Sequence, residues 1–228
     1  MIISHEHRFI FVKTRKTAGT SIEVMLAPLA GEDAVVTPVA PPVPGHEARN
    51  HDRPFNPLPE MIRRRRIKPP LSDLRRHRTY FNHIDATRIR ERLGARRWNS
   101  YFKFCFERDP WEKVVSWYYW SARAKDVPPF REFVLGDDLP TDWDRYSING
   151  QLAMDFVGRF EHLQEDLAKV LAHVGIDAPV QLPREKGGVR PQEARTDALF
   201  TPELDARVAE VFSRELAAFD YENRALSH

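Results

Sequence analysis

The stretch FIFVKTRKTAGTS, residues 9–21, runs from an apolar strand directly into a loop of cations, hydroxyl groups and one glycine. Apolar residues then recur at helical spacing at Ile22, Met25, Leu26 and Leu29, so the loop should lie between the end of a strand and the start of a helix. Backbone N–H groups and the positive end of the helix dipole attract anions at such a place. We therefore expect a phosphate or sulfate group to bind in this loop.

The order of residues in the loop argues against a nucleoside triphosphate. The phosphate loop of NTPases follows the pattern G-x-x-x-x-G-K-[ST], in which the lysine comes after the glycine. Here Lys16 precedes Gly19, and no glycine stands before it in that frame. The pattern therefore gives ATP or GTP little support.

A second strand, turn and helix are predicted in FKFCFERDPWEKVVSWY, residues 102–118. Asp109, Pro110 and Glu112 have the residue types favoured at the N-cap and in the first turn of a helix. Arg108 lies at the turn, and Ser116 follows eight positions later on the predicted helix.

Together the two segments resemble motifs of sulfotransferases that use 3′-phosphoadenosine 5′-phosphosulfate (PAPS). The Lys-x-x-Gly-Thr core at residues 16–20 resembles their 5′-phosphosulfate loop, and the Arg-Asp-Pro turn with Ser116 resembles their 3′-phosphate motif. The family that the chain most resembles is the membrane-type carbohydrate sulfotransferases, which include the heparan sulfate 2-O-sulfotransferases, in a soluble bacterial form. The resemblance covers most of the chain outside a proline-rich stretch.

The resemblance implies PAPS as donor, 3′,5′-ADP as product, and an acceptor that carries a hydroxyl group, on a carbohydrate. Lys16 would neutralise the departing phosphate. A late basic loop is similar to the one that closes over the 3′-phosphate. The residues predicted to bind the donor are Arg15, Thr17, Ala18, Gly19, Thr20, Ser21, Arg108 and Ser116, with Lys186 or Arg190 from the late loop. Of these, Thr17 is better suited to shaping the loop.

His83 is the predicted catalytic base, because it stands where the resembling family places a catalytic histidine. An ordinary imidazole titrates near pH 6.5, which suits removal of a hydroxyl proton. His46 and His51 are the alternatives. The histidines His5 and His7 precede the Phe9 strand without a metal-binding spacing such as H-E-x-x-H, and we predict no metal site.

Alternating strands and helices predict the fold class α/β: a three-layer, largely parallel sheet flanked by helices, which the resemblance makes a P-loop-NTPase-like sulfotransferase fold. Further elements are expected as a basic helix at 84–93, a strand at 156–160, a helix from 161 to Gly175 and a final helix from Thr201. Ligands bind beyond the carboxyl ends of strands in such sheets.

Length and composition fit a single cytoplasmic enzyme domain over residues 1–228. The chain is 42% hydrophobic and 30% charged, and Cys105 lies in a predicted apolar strand, so we expect a buried thiol. We expect neither a leader nor a transmembrane segment, because no apolar run reaches about 18 residues.

Two segments between the motifs are unusual. Prolines concentrate at about residues 37–70, where we predict a loop or flap over the acceptor cleft. Cations concentrate in the middle of the chain, at Arg63–Arg66, Arg75, Arg76, Arg78 and five arginines between 88 and 97. Without a nucleic-acid-binding motif, the charge favours an anionic cofactor or acceptor and predicts no nucleic-acid partner.

Two alternatives remain open from the sequence. One is a kinase-like phosphoryl transferase, which would need Mg²⁺ and carboxylates to hold it. The other is a non-catalytic module that binds nucleotides or polyanions; it would keep Arg108 and the loop but has no need of Lys16 and His83.

Overall fold

The structure is a computed structural model that describes residues 1–64, 68–123, 126–183 and 196–226. Five strands form one sheet in the order β3-β1-β2-β4-β7, and a short hairpin pairs β5 with β6. The strands are β1 (Ile2–Ser4), β2 (Phe9–Phe11), β3 (Val35–Val36), β4 (Phe102–Glu107), β5 (Ser147–Ile148), β6 (Gln151–Leu152) and β7 (Phe156–Arg159). Strands β2, β4 and β7 are parallel, while β1 runs antiparallel to both its neighbours.

Helices pack on both faces of the sheet. Those in the described part are α1 (Gly19–Leu26), α2 (Leu58–Arg64), α3 (Lys68–Arg75), α4 (Ala86–Leu93), α5 (Ala95–Ser100), α6 (Pro110–Ser121), α7 (Phe130–Leu135), α8 (Trp143–Tyr146), α9 (Leu163–His173), α10 (Pro202–Val211) and α11 (Ser213–Phe219). None of them is long and apolar enough to cross a membrane. A mixed α/β fold with a mostly parallel, helix-flanked sheet is thus confirmed.

The alternation of side chains along the strands explains the two layers of helices. Phe9 and Phe11 point to the face covered by α1 and α9. Ile10 and Cys105 point to the other face, where α4, α5 and α8 pack. Strands buried on both faces read as continuous apolar runs, as residues 9–12 and 104–106 do.

Several element boundaries differ from expectation. The strand at Phe9 is preceded by β1, so the histidines at 5 and 7 lie in a hairpin turn rather than before the sheet. The predicted helix at 84–93 begins at Ala86, because Asp85 is its N-cap and accepts a hydrogen bond from the Arg88 N–H. The final helix is followed by a second one, α11.

The proline-rich segment is tied to α4 in part by Arg92, whose guanidinium is fully buried. It pairs with Glu60 of α2 and Asp73 of α3, each at 2.8 Å. It also donates to the Thr79 carbonyl at 2.7 Å and lies 4.1 Å from the centre of the Phe55 ring. These contacts tie residues 55–79 to the helix that follows His83; the flap role remains a prediction.

Candidate functional site

The parallel strands β2 and β4 end at the same edge of the sheet, and each continues into one of the two predicted loops. We call residues 13–18, after β2, the first loop, and the turn Arg108–Asp109, after β4, the second loop. The Thr14 hydroxyl donates to the Phe106 carbonyl oxygen. This bond links the beginning of the first loop to the end of β4.

The first loop contains two residues in the left-handed conformation just before α1. Lys16 and Ala18 have positive φ angles of 62° and 57°, and such left-handed residues turn successive N–H groups toward one point. Ala18 is the N-cap of α1, so the N–H groups of Gly19, Thr20 and Ser21 belong to the first turn and have no intrahelical acceptor. This backbone suits an anion, as the sequence predicts.

A buried lysine that the sequence analysis left without a role lies beneath the first loop. Lys13 is 3% exposed; its ammonium group pairs with Glu23 and lies 3.3 Å from the Thr20 hydroxyl. A Cβ atom on Gly19 would come within 2.7 Å of the Lys13 Cγ atom. Gly19 is therefore required because the Lys13 side chain passes directly against it.

Two predicted donor-binding residues are engaged inside the protein. Arg15 donates to Asp142 from its backbone N–H at 2.7 Å and from Nε at 3.0 Å, and its guanidinium also reaches the Thr141 carbonyl. The Thr17 side chain is buried, with its hydroxyl 2.9 Å from that of Thr14. Both contacts shape the first loop, so the geometry gives Arg15 and Thr17 anchoring roles.

Asp142 is the centre of a buried ionic network. Its carboxylate also accepts from Lys113 at 2.9 Å and from Arg145 at 2.6 Å. Burial alone would raise the pKa of Asp142, but Lys113, Arg15 and Arg145 outweigh it and lower the pKa to about 2. Asp142 is thus ionised at neutral pH and fixes the first loop from a position 127 residues away.

Lys113 also connects this ionic network to β4. Lys113 donates to both carboxylate oxygens of Glu107, at 3.0 and 2.7 Å. Burial raises the pKa of Glu107 to about 7 in spite of Lys113. The sequence analysis gave Glu107 and Lys113 no role. Two charged residues six positions apart do not indicate that Asp142 is their third partner.

Lys16, Arg108 and Ser116 are brought together by one face of α6. Arg108 donates to the Lys16 carbonyl at 3.4 Å and to Glu112 at 3.2 Å. The Lys16 ammonium group lies 4.4 Å from the centre of the Trp120 ring. Because residues 112, 116 and 120 are one helical turn apart, Ser116 lies between these two contacts on the same face.

His83 lies beside the first loop although 70 residues separate it from Lys13. Its Nδ1 is 3.1 Å from the Lys13 carbonyl oxygen. A carbonyl only accepts, so Nδ1 carries the proton and Nε2 bears the basic lone pair. Burial, together with the charges of Lys13 and Arg145, lowers the pKa of His83 to about 4, which keeps the imidazole neutral at physiological pH.

The remaining predicted residues fall in other places. Lys186 and Arg190 lie outside the described residues. His46 lies near the Lys13 and Glu23 charges, and burial lowers its pKa. The His51 carbonyl accepts from Tyr80 at 2.8 Å. Within the described ranges, no group of three or more histidine, cysteine, aspartate or glutamate side chains is placed to hold a metal ion.

The described chain is thus a mixed α/β protein with two cation-bearing loops at the carboxyl ends of adjacent parallel strands, where such folds bind ligands. Residues 1–222 match the Sulfotransferase family. The chain therefore belongs to this family, and membership implies a transferase that moves sulfuryl groups.

A relative protein matches part of the chain. An uncharacterized protein of Archaeoglobus fulgidus is 39% identical over 100 residues, which are 41% of this chain and 83% of that protein. No solved structure matches the chain.

Proposed function

We propose that this sulfotransferase takes its sulfuryl group from PAPS and transfers it to a hydroxyl group of a carbohydrate, as the resemblance to the carbohydrate sulfotransferases implies. The observation that carries the proposal is the 3.1 Å contact between the His83 imidazole and the Lys13 carbonyl. It joins the predicted base to the predicted phosphosulfate loop at one edge of the sheet, although nothing in the local sequence links them.

The residues fit a donor with two phosphates. The N–H groups of Gly19, Thr20 and Ser21 are available to a phosphate at the start of α1, where the helix dipole would add to their attraction. Arg108 and Ser116 supply a guanidinium and a hydroxyl for the second phosphate, with Lys186 or Arg190 as further predicted partners. Two separated sets of donors suit a 3′,5′-bisphosphorylated nucleoside better than a nucleoside monophosphate.

PAPS, when bound, supplies a sulfuryl group whose bond to the 5′-phosphate oxygen breaks as the acceptor oxygen bonds to sulfur. Lys16 then stabilises the negative charge that builds up on the departing phosphate. His83 takes the proton from the acceptor hydroxyl at Nε2. An imidazole with a pKa of about 4 is a weak base, so we expect proton transfer to accompany sulfur–oxygen bond formation, when the hydroxyl is most acidic.

Donor binding is tested first, by thermal shift. A ligand at about 100 times its dissociation constant adds roughly 2.7 kcal/mol, which is about 5–10 °C in Tm for a chain of this size. We expect such a shift with 3′,5′-ADP and a much smaller one with 5′-AMP or ATP and Mg²⁺. Equal shifts with 5′-AMP and 3′,5′-ADP would contradict the 3′-phosphate role of Arg108 and Ser116.

Transfer is tested by incubating the protein with PAPS and a panel of glycans, lipids and small metabolites, followed by mass spectrometry. We expect the mass of one added sulfuryl group on carbohydrate acceptors. Phosphorylated products from ATP and Mg²⁺ would instead support the kinase alternative. Nucleotide binding without any product would support the binding module.

A further inference from the structure

A polar cavity lies next to the candidate site, on the face of the sheet covered by α4 and α8. Its volume is about 570 Å³, within the range of about 300–1,000 Å³ typical of small-molecule sites. The residues that line it come from the start of α4, from α8 and its approach, and from the β5–β6 hairpin; they include Asp85, Thr87, Asp144, Arg145, Ser147 and Asn149.

The cavity shares its walls with residues that hold the predicted base and the first loop. Arg145, which lines it, donates to the His83 carbonyl oxygen. Thr141, which also lines it, accepts from Arg15 of the first loop. Asp85 stands two residues after His83. The lining thus reaches the His83 backbone and the first loop through Arg145 and Thr141, without including either of them.

The lining is suited to a molecule with many hydroxyl groups. Each described residue of the lining is polar or glycine, so an apolar acceptor would desolvate hydroxyls, amides and carboxylates without replacing their hydrogen bonds. Thr87, Ser147 and Asn149 each both donate and accept, as sugar hydroxyls do.

The charges of the lining are unequal. The Arg145 guanidinium is bound to Asp142 at 2.6 Å and to the His83 carbonyl, so two of its donors are already engaged. Asp144, by contrast, is 96% exposed and lies 3.8 Å from Arg214, which is itself on the surface. Asp85 is a second carboxylate, but it accepts from the Arg88 N–H at 2.9 Å and lies 3.7 Å from the Arg88 Nε atom. The Asp144 carboxylate is thus the lining charge most open to a ligand, and it would attract a cation and repel an anion that reaches it.

We propose that this cavity is the acceptor subsite and that it takes a polyhydroxylated acceptor carrying a protonated amine, such as an amino sugar with a free amine, with Asp144 selecting the charge. The inference rests on the proposed sulfuryl transfer, since the acceptor is defined by that reaction. The hydroxyl oxygen is sulfated, its proton goes to His83, and the ammonium group serves recognition alone.

The test compares three acceptor series of similar length: glucosamine oligosaccharides, their N-acetylated forms and galacturonate oligosaccharides. We expect kcat/KM with PAPS to fall in that order at neutral pH. Asp144→Asn should lower kcat/KM for the free-amine series by about 2- to 5-fold, the scale of an exposed ion pair, and leave the N-acetylated series unchanged. Asp144→Lys should reduce the free-amine series further and improve the galacturonate series.

Binding of the free-amine series in the presence of 3′,5′-ADP, measured by calorimetry, gives a second readout that needs no turnover. The control is Glu165→Gln, which removes a carboxylate that is 77% exposed on α9 and should change none of these values. If 3′,5′-ADP itself fails to bind, the proposed function is wrong. If 3′,5′-ADP binds and Asp144→Lys leaves the ratio of kcat/KM between the free-amine and galacturonate series unchanged, only the acceptor inference is overturned.

Discussion

The first and second loops end neighbouring parallel strands, yet they are fixed in different ways. The first loop depends on distant partners: Asp142 holds Arg15, and the Phe106 carbonyl holds Thr14. The second loop combines local and distant contacts: the Asp109 side chain caps its own helix by accepting from the Glu112 N–H at 2.9 Å, while the Asp109 N–H donates to Glu161 at 2.9 Å and Arg108 donates to the Lys16 carbonyl at 3.4 Å. Loss of the Asp109 cap should therefore act mainly on the start of α6, whereas loss of the Asp142 anchor should spread across the site.

The largest effect is expected from His83, the proposed base, which contacts the first loop through the Lys13 carbonyl. His83→Ala should lower kcat by about 10²–10⁴, the usual contribution of a general base. In the wild type, the acidic limb of kcat/KM should lie near pH 4 rather than 6.5, because His83 loses its lone pair to a proton only below its lowered pKa of about 4. The limb should vanish in the variant, with 3′,5′-ADP affinity unchanged. A limb that persists would transfer the role to His46 or His51.

The second-largest effect is expected from Asp142, which anchors the first loop. Asp142→Asn removes a buried carboxylate that pairs with Arg15, Lys113 and Arg145, and breaking such a network costs about 3–5 kcal/mol. We expect a lower free energy of unfolding by urea titration and weaker 3′,5′-ADP binding in the same variant. Asp137→Asn, at a fully exposed carboxylate, is the matched control. Weakened stability with intact nucleotide affinity would show that the loop does not depend on this anchor.

Replacement of Lys16, the cation of the first loop, should lower kcat and have less effect on nucleotide binding. Lys16→Met should lower kcat by about 10²–10³, as for loss of a preorganised charge in the transition state, while 3′,5′-ADP binding falls less because the backbone N–H groups remain. Lys169→Met removes a surface ammonium group that is 65% exposed and should leave kcat unchanged. An unaltered rate constant of transfer in single-turnover experiments would show that Lys16 takes no part in the transfer step.

The smallest effect is expected in the second loop. Asp109→Ala removes the N-cap of α6 and should lower the free energy of unfolding by about 1 kcal/mol, with little change in kcat. Asp109→Asn keeps a capping side chain and should recover most of the loss. A large fall in kcat on Asp109→Ala would mean that the second loop is coupled to chemistry as strongly as the first.

The difference between local and long-range contacts also explains which features of the structure could be predicted from the sequence. The Asp109, Pro110 and Glu112 pattern predicted the start of α6 to the residue, since capping is local. The apolar runs at 9–12 and 102–106 predicted two of the parallel strands. Asp142 could not be found in this way, because its role exists only when α8 and the first loop meet. Strand β1 was missed because three residues carry too little periodicity, and α11 because only the single residue Phe212 separates it from α10.

Within the candidate site too, roles that depend on long-range contacts could not be predicted from the sequence. The residue types of the first loop indicated an anion site, but its sequence did not separate Arg15, which faces Asp142, from Lys16, which faces Trp120. Lys13 gave no signal at all, since a lysine after an apolar strand ordinarily marks the strand's end. Only the contact with Gly19 shows that its aliphatic stem is part of the loop.

The stacking of Lys16 on Trp120, at 4.4 Å from the ring centre, gives the protein an optical property. An indole beside a positive charge emits at a wavelength and intensity that depend on where that charge lies. If Lys16 leaves the ring to meet the donor phosphate, titration with 3′,5′-ADP should change the tryptophan emission, and Trp120→Phe should abolish most of that change. Movement of the Lys16 ammonium group would then be visible in real time, without a label and before any acceptor is known.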